Sequence, residues 1–325
     1  ARTVALTRGA ERVVSPVSQY PDDVRKADKV ALLLRMNDAA RGAGASIVQV
    51  SAGYGDSRKH ILVANTDGVF VTDQQVRTLI RVTAVADGDA GMQTGSQSAG
   101  QTIGFELFDQ VDVEDLARDA ARMAITKLDA RPAPSGALPV VIKQGSGGVL
   151  FHEACGHGLE ADIIAKGGSV YRGKKGELVA SPLVTLVDDG TMRGEWGAIA
   201  YDDEGHASQY NVLIENGVLT EYMWDYLRAR NDGRPQSGNG RRQSYQHLPM
   251  VRMTNTYVLN GTEEPDDIVR ATDYGVYVAK LGGGSVNTAS GDFVFGMTEA
   301  YLIENGEITA PLREGNLIGN GPQVL

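Results

Sequence analysis

Ala130-Arg131-Pro132-Ala133-Pro134-Ser135-Gly136 divides the chain. Two prolines remove backbone donors and fix φ, so neither a helix nor a central strand continues through such a run. Before it lies the clearest helical pattern in the sequence. Asp112 opens that helix, and Val113, Leu116, Ala117, Ala120, Ala124 and Leu128 form one apolar stripe at helical spacing. After it, strand and turn signals dominate. The division sets the fold class as α+β: a small α/β domain ending near residue 131, then a mainly antiparallel β domain over 137–325.

Working towards the N-terminus, Pro21-Asp22-Asp23 reads as a helix start, with Val24, Ala27, Val30, Ala31 and Leu34 on one face and Gly42 and Gly44 as the stop. Extended segments rich in Val, Ile and Thr follow over 46–52, 60–65, 69–72 and 79–86, with Thr66-Asp67-Gly68 as a turn. The Gly/Ser/Gln/Thr-rich stretch 89–101 reads as a sheet edge or a mobile loop. Towards the C-terminus, Leu138–Ile142 is a short strand, followed by Gly145-Ser146-Gly147-Gly148 and an apolar run into His152. Three hairpin signals recur, Asp188-Asp189-Gly190, Glu215-Asn216-Gly217 and Glu304-Asn305-Gly306, because Asn-Gly and Asp-Gly supply the positive φ of two-residue turns.

With 325 residues, the chain has room for two domains. Its 42% hydrophobic content supplies a core and excludes wholesale disorder. Its 40 glycines argue for turns and against a helical bundle. The formal charge of −10 disfavours general binding to nucleic acid. No run of 18 apolar residues is present, so no membrane-spanning helix is expected. Cys155 is the only cysteine; it excludes an internal disulfide, excludes a zinc site with two cysteines of one chain, and suits a reducing, cytoplasmic compartment. Both ends read as cut.

The densest chemistry is Phe151-His152-Glu153-Ala154-Cys155-Gly156-His157, followed by Glu160 and Asp162. Imidazole is a good zinc ligand, and an adjacent carboxylate can serve as general base towards water. The two histidines stand at i and i+5, so on a regular helix their rings point about 140° apart. They meet only if the helix ends or bulges between them, which Gly156 and Gly158 permit. His152 and Cys155, at i and i+3, form a rival ligand pair. The plain alternative is a set of capping and core polar residues at a helix end.

Other motifs are weaker. Gly145–Gly148 lacks the spacing of a nucleotide loop and suits close packing of the helix start on the strand. Asp202-Asp203-Glu204-Gly205-His206 fails the calcium-loop pattern and reads as a solvated turn. The basic segment Gly238–His247 is either a surface loop or a binding element for a peptide backbone or carboxylate through Arg241, Arg242 and His247. His60, alone beside a strand, reads as structural.

The sequence His152-Glu153-Ala154-Cys155-Gly156-His157-Gly158-Leu159-Glu160-Ala161-Asp162 resembles the HExxxH segment of the TldD/PmbA metalloprotease family, on the TldD side. The likeness continues through Asp188–Gly190, Tyr201–Gly205, Gly238–Tyr245, His247–Met250, Met253–Tyr257, Gly282–Gly284 and Glu299–Gly306, and spans about residues 20–325. It implies a soluble peptidase that acts on unfolded or extended peptides in a cavity between two subunits. The second subunit would be a TldE (PmbA)-like chain or a second copy. By that likeness His152 and His157 are zinc ligands and Glu153 is the catalytic base. The third ligand is expected to be a cysteine beyond Leu325, and the zinc site of residues 1–325 alone is expected to be empty or weakly held. Residues 1–20 are then the remnant of an N-terminal domain, 21–131 a central domain and 137–325 an incomplete metallopeptidase domain with the HExxxH helix near its start. Two further readings stand beside this one: a non-catalytic peptide-binding or assembly subunit, favoured by the missing ligand, and a weak nucleotide-binding reading of Gly145–Gly148.

Overall fold

The computed structural model describes residues 3–10, 12, 14–89 and 91–325. Residues 1, 2, 11 and 13 of the expected N-terminal remnant, and residue 90 of the expected edge segment, lie outside them. The first part contains β1 (Thr7–Arg8), α1 (Lys26–Gly42), β2 (Ile47–Ala64), β3 (Val69–Ala86), β4 (Gln93–Gln101) and α2 (Val113–Leu128). The separate extended segments of the sequence are two continuous 18-residue strands, β2 and β3, paired antiparallel along their whole length. β4 adds to β3 as an edge strand.

Both helices pack together and against this sheet. α2 starts where expected: the Asp112 side chain accepts from the backbone N–H groups of Glu114 and Asp115 at 2.9 and 3.0 Å, filling two of the orphan donors of the first turn. Its alanines Ala117, Ala120, Ala121 and Ala124 are fully buried. They let the helix approach β4 so closely that a Cβ at Gly95 would overlap the Ala120 carbonyl oxygen.

α1 departs from the expected reading. Pro21–Asp23 is a 3-10 turn and the helix begins at Lys26. The buried face is Leu32, Met36 and Ala40, whereas Val30 and Leu34 are exposed. The run Leu32-Leu33-Leu34 supports either face by pattern alone, and contact with α2 selects the one at i, i+4, i+8.

The second part runs β5 (Arg131–Pro132), β6 (Val140–Ile142), α3 (Gly148–Ala154), α4 (Ala161–Ala165), β7 (Leu186–Asp189), β8 (Tyr210–Glu215), β9 (Val218–Leu219), α5 (Tyr226–Asp232), β10 (Gly240–Arg241), β11 (Met250–Val251), β12 (Thr256–Val258), α6 (Pro265–Arg270), β13 (Tyr274–Val286), β14 (Asp292–Glu304), β15 (Glu307–Arg313), β16 (Asn316–Asn320) and α7 (Gly321–Val324). One sheet has the order β12-β7-β8-β9 and is antiparallel. The larger has the order β5-β15-β14-β13-β6, with β16 also on β14. It is antiparallel except where the short β5 and β6 join its edges in parallel. The fold is therefore α+β with a mainly antiparallel second part, as the turn signals imply.

Two of the three hairpin signals make the expected turns. Asn216 and Gly217 (φ 47° and 83°) join β8 to β9, and Asn305 and Gly306 (54° and 76°) join β14 to β15. Asp188-Asp189-Gly190 does not. Asp188 is a fully buried strand residue whose carboxylate accepts from Thr254 N, Thr254 Oγ1, Thr256 Oγ1 and Asn239 Nδ2 at 2.7–2.8 Å. Four donors remove the cost of burying it, so β7 runs through the pair instead of turning there.

α3 contacts β12 of one sheet and β13 and β14 of the other. Leu150, Ala154, Cys155 and Leu159 join a core with Leu186, Leu213, Met223, Met253, Val278, Phe293 and Phe295.

Candidate metal centre

The approach to α3 is built for close packing. A Cβ at Gly147 would lie 2.5 Å from both the Lys143 carbonyl oxygen and Ile142 Cγ2, so the helix start sits directly on β6. No Lys-Ser/Thr pair follows, and the nucleotide reading gains nothing from this loop.

The helix ends where the spacing of the histidines requires. α3 stops at Ala154, Cys155 has φ −123° and ψ −53°, and Gly156–Leu159 continues as a 3-10 turn. Neither Gly156 nor Gly158 uses a positive φ. Their role is close approach: a Cβ at Gly156 would overlap Met253 Sδ, and one at Gly158 would meet the Tyr171 ring at 2.9 Å. The Ser169 hydroxyl donates to the Gly158 carbonyl and Met223 N donates to Leu159 O at 2.9 Å, fixing the turn from its far side.

The break swings His157 back towards His152. Their rings stand edge to face with centroids 5.1 Å apart. Ligand atoms of His152, Glu153 and His157 all lie within 4.8 Å of one another. Glu153 Oε2 is 3.6 Å from His157 Nε2. Burial, with His157 alongside, holds His152 below its ordinary pKa, which favours the neutral ring that binds metal. His157 is shifted upwards, chiefly by the Glu160 carboxyl group, whose Oε2 lies 3.2 Å from His157 Nδ1. Two imidazoles and a carboxylate converging on one partly buried spot form a donor set suited to zinc.

Cys155 does not join them. Its side chain is fully buried in the core beside Tyr171, and burial pushes its thiol up to about 12. The rotation that returns His157 to His152 turns the intervening Cys155 inward, so the rival His152/Cys155 pair is not formed.

The basic segment divides. Arg241 is half-buried, its guanidinium donating to the Met253 carbonyl, and desolvation holds its pKa down. Arg242 is tied to Asp203 through its backbone N–H at 2.9 Å and Nη2 at 3.0 Å. His247 is exposed and pairs with Ser244 Oγ at 2.8 Å. The three do not form one cluster. Asp202–His206 is not the solvated turn expected: Asp202 is 1% exposed and accepts from the backbone of Glu204, His206 and Gly240. Its acids hold loops by hydrogen bonds, which a composition of charged residues does not reveal. His60 lies within β2.

The family model for the PmbA/TldA metallopeptidase C-terminal domain matches residues 135–325, and that for the central domain matches 19–128. The chain belongs to the PmbA/TldD metallopeptidase family. Within this family it is 38% identical over 342 residues to the metalloprotease TldD homolog of Buchnera aphidicola subsp. Acyrthosiphon pisum, covering 100% of this chain and 71% of that one. It is 41% identical over 332 residues to the TldD homolog of Haemophilus influenzae, covering 98% and 68%. A 29% identical relative from Saccharolobus solfataricus, covering 81% and 58%, is named a zinc metalloprotease TldD homolog. The PmbA/TldD fold is seen again in TldE from Thermococcus kodakarensis, with TM-score 0.80 and 23% identity over 99% of this chain and 72% of that one. No helix among the described residues is long and apolar enough to cross a membrane.

Nothing in the sequence pattern points to the packing of Met253, the pairing of Arg252 or the hydrogen-bond network of Asp188. Only Glu160 carried a signal, its place three residues after His157.

Proposed function

We propose that this chain carries the zinc-binding histidines and the general base of a peptidase that hydrolyses unfolded or extended peptides. The observation that carries the reading is the convergence of His152, Glu153 and His157 across a helix break that brings i and i+5 together. Zinc held there by His152 and His157 would supply Lewis acidity towards a peptide carbonyl and a lowered pKa for water. Glu153 is not needed as a ligand in this scheme. Its half-buried carboxylate is placed to accept a proton from water and return it to the leaving amine. Burial of His152 lowers its pKa, which favours the neutral ring a metal needs.

A third protein ligand completes a catalytic zinc shell. By the family resemblance it is a cysteine beyond Leu325. Gly321 packs so tightly against Ala154 that the segment leading to Leu325 already lies beside the end of α3. A TldE-like subunit or a second copy would close the substrate cavity, in a cytoplasmic setting. Arg241, Arg242 and His247 remain candidates for contact with the peptide.

The test is Glu153→Gln in the complete protein. It should retain zinc, measured by elemental analysis, and lose peptide hydrolysis by about 10²–10⁴-fold. His152→Ala and His157→Ala should each lose the metal. Full turnover in Glu153→Gln would overturn the assignment. Peptide binding without hydrolysis in the unaltered protein would favour the non-catalytic subunit.

A further inference from the structure

The hydrolytic scheme gives Glu160 no task, yet its side chain is completely buried. A buried carboxyl group is costly unless partners compensate it. Oε2 is shared between Arg252 Nη1 at 3.1 Å and His157 Nδ1 at 3.2 Å, and Oε1 has no hydrogen-bond partner among the described residues. Arg252 is 39% exposed and is itself steadied by its bond to the Val251 carbonyl at 2.6 Å.

The backbone around Glu160 is fixed on both sides. Met223 donates to Leu159 O at 2.9 Å and accepts from Ala161 N at 3.0 Å, which sets Glu160 opposite Met223. The carboxyl group is thus delivered to one edge of the His157 ring by a rigid strand-like contact. The other edge, Nε2, faces Glu153 and the side where His152 lies. In a neutral imidazole one nitrogen carries the proton and the other the lone pair, and the partner of the first decides which is which. A carboxylate at Nδ1 places the proton there and leaves Nε2 as the donor atom.

We propose that Glu160, braced by Arg252, is a positioning residue that holds His157 as the Nδ1–H tautomer with Nε2 turned to the centre shared with His152 and Glu153. Arg252 draws on the same oxygen, which keeps the carboxylate at the back of the ring and out of the ligand set. The proposal rests on the metal-site reading above, but it makes its own statement about the ring.

The experiment uses the complete protein with ¹⁵N-labelled histidine, zinc-free, and long-range ¹H–¹⁵N NMR, with His157→Gln for assignment. At a pH high enough to leave His157 uncharged, a ring protonated at Nδ1 and bare at Nε2 is expected; a neutral ring protonated at Nε2 overturns the proposal without any variant at 160. Glu160→Gln and Glu160→Asp are then titrated with zinc against a chromophoric chelator. The first keeps length and loses the charge; the second keeps a charge for Arg252 and loses reach to His157. Both should lose about 10–100-fold in zinc affinity. Parental affinity in a folded Glu160→Asp would show that pairing with Arg252 is the whole role, and overturns the proposal. The metal reading fails separately, if His152→Ala and His157→Ala bind zinc as the parent does.

Discussion

Gly156→Ala tests whether the turn between the histidines depends on one contact. Gly156 has no positive φ, so alanine suits its backbone and the whole cost comes from packing. The new Cβ would overlap Met253 Sδ and lie 3.2 Å from Met253 Cε. Met253 is 3% exposed, and its carbonyl anchors Arg241, so it cannot simply swing into solvent. Relief requires a repacked methionine or a displaced turn, at about 1–3 kcal/mol for overpacking. Met253→Ala alone should cost about 2–5 kcal/mol through the cavity it leaves. In the double variant the alanine methyl occupies part of that cavity, so the two losses should fall short of additivity by about 1–2 kcal/mol. Urea unfolding of the four proteins measures the cycle, and chelator competition measures zinc affinity. Since residue 156 adjoins His157, Gly156→Ala should also weaken zinc, and the double variant should regain part of it. Stability within about 0.5 kcal/mol of the parent, or strictly additive losses, would refute the reasoning.

The buried Cys155 thiol, shifted up to about 12, should resist iodoacetamide in the folded protein, and Cys155→Ala should keep zinc affinity within about twofold; native-state labelling followed by mass spectrometry checks the first point. Burial raises Asp202 from an ordinary 3.8 to about 6 and Glu204 from 4.5 to about 7. The folded chain then binds more protons than the unfolded chain between about pH 4 and 7, so these groups make stability fall as pH rises through that window. For Asp202 the full effect is about 3 kcal/mol. The depressed His206 acts in the opposite sense, so the measurement is the difference in urea midpoint between the parent and Asp202→Asn from pH 5 to 8. A difference independent of pH would count against the shift.

Local chemistry was the legible part. Asp112 caps because a short acid before an apolar stripe can do little else there, and Asn216 and Asn305 turn because Asn-Gly accepts positive φ cheaply. The break between the histidines was readable because i and i+5 are incompatible with one helix face. What escaped was set by partners remote in sequence. Asp188 resembles a turn residue until Thr254, Thr256 and Asn239 arrive around it. Leu34 resembles a core residue until α2 covers the neighbouring face. Gly156 suggests backbone freedom, and only Met253 shows that space is what it provides.

The turns have a bearing on how the protein ages. An asparagine followed by glycine deamidates when the glycine nitrogen attacks the side-chain amide, and the chain has five such pairs. In four of them that nitrogen is already engaged: Gly217 N donates to Val184 O at 2.8 Å, Gly306 N to Thr272 O at 3.2 Å, Gly321 N to Gly291 O at 2.8 Å, and Gly240 N to Asp202 Oδ2 at 3.0 Å. Asn260-Gly261 lies in exposed irregular chain after β12. Isoaspartate should therefore gather first at position 260 in stored protein, while its appearance at 216 or 305 would mark hairpins that have opened.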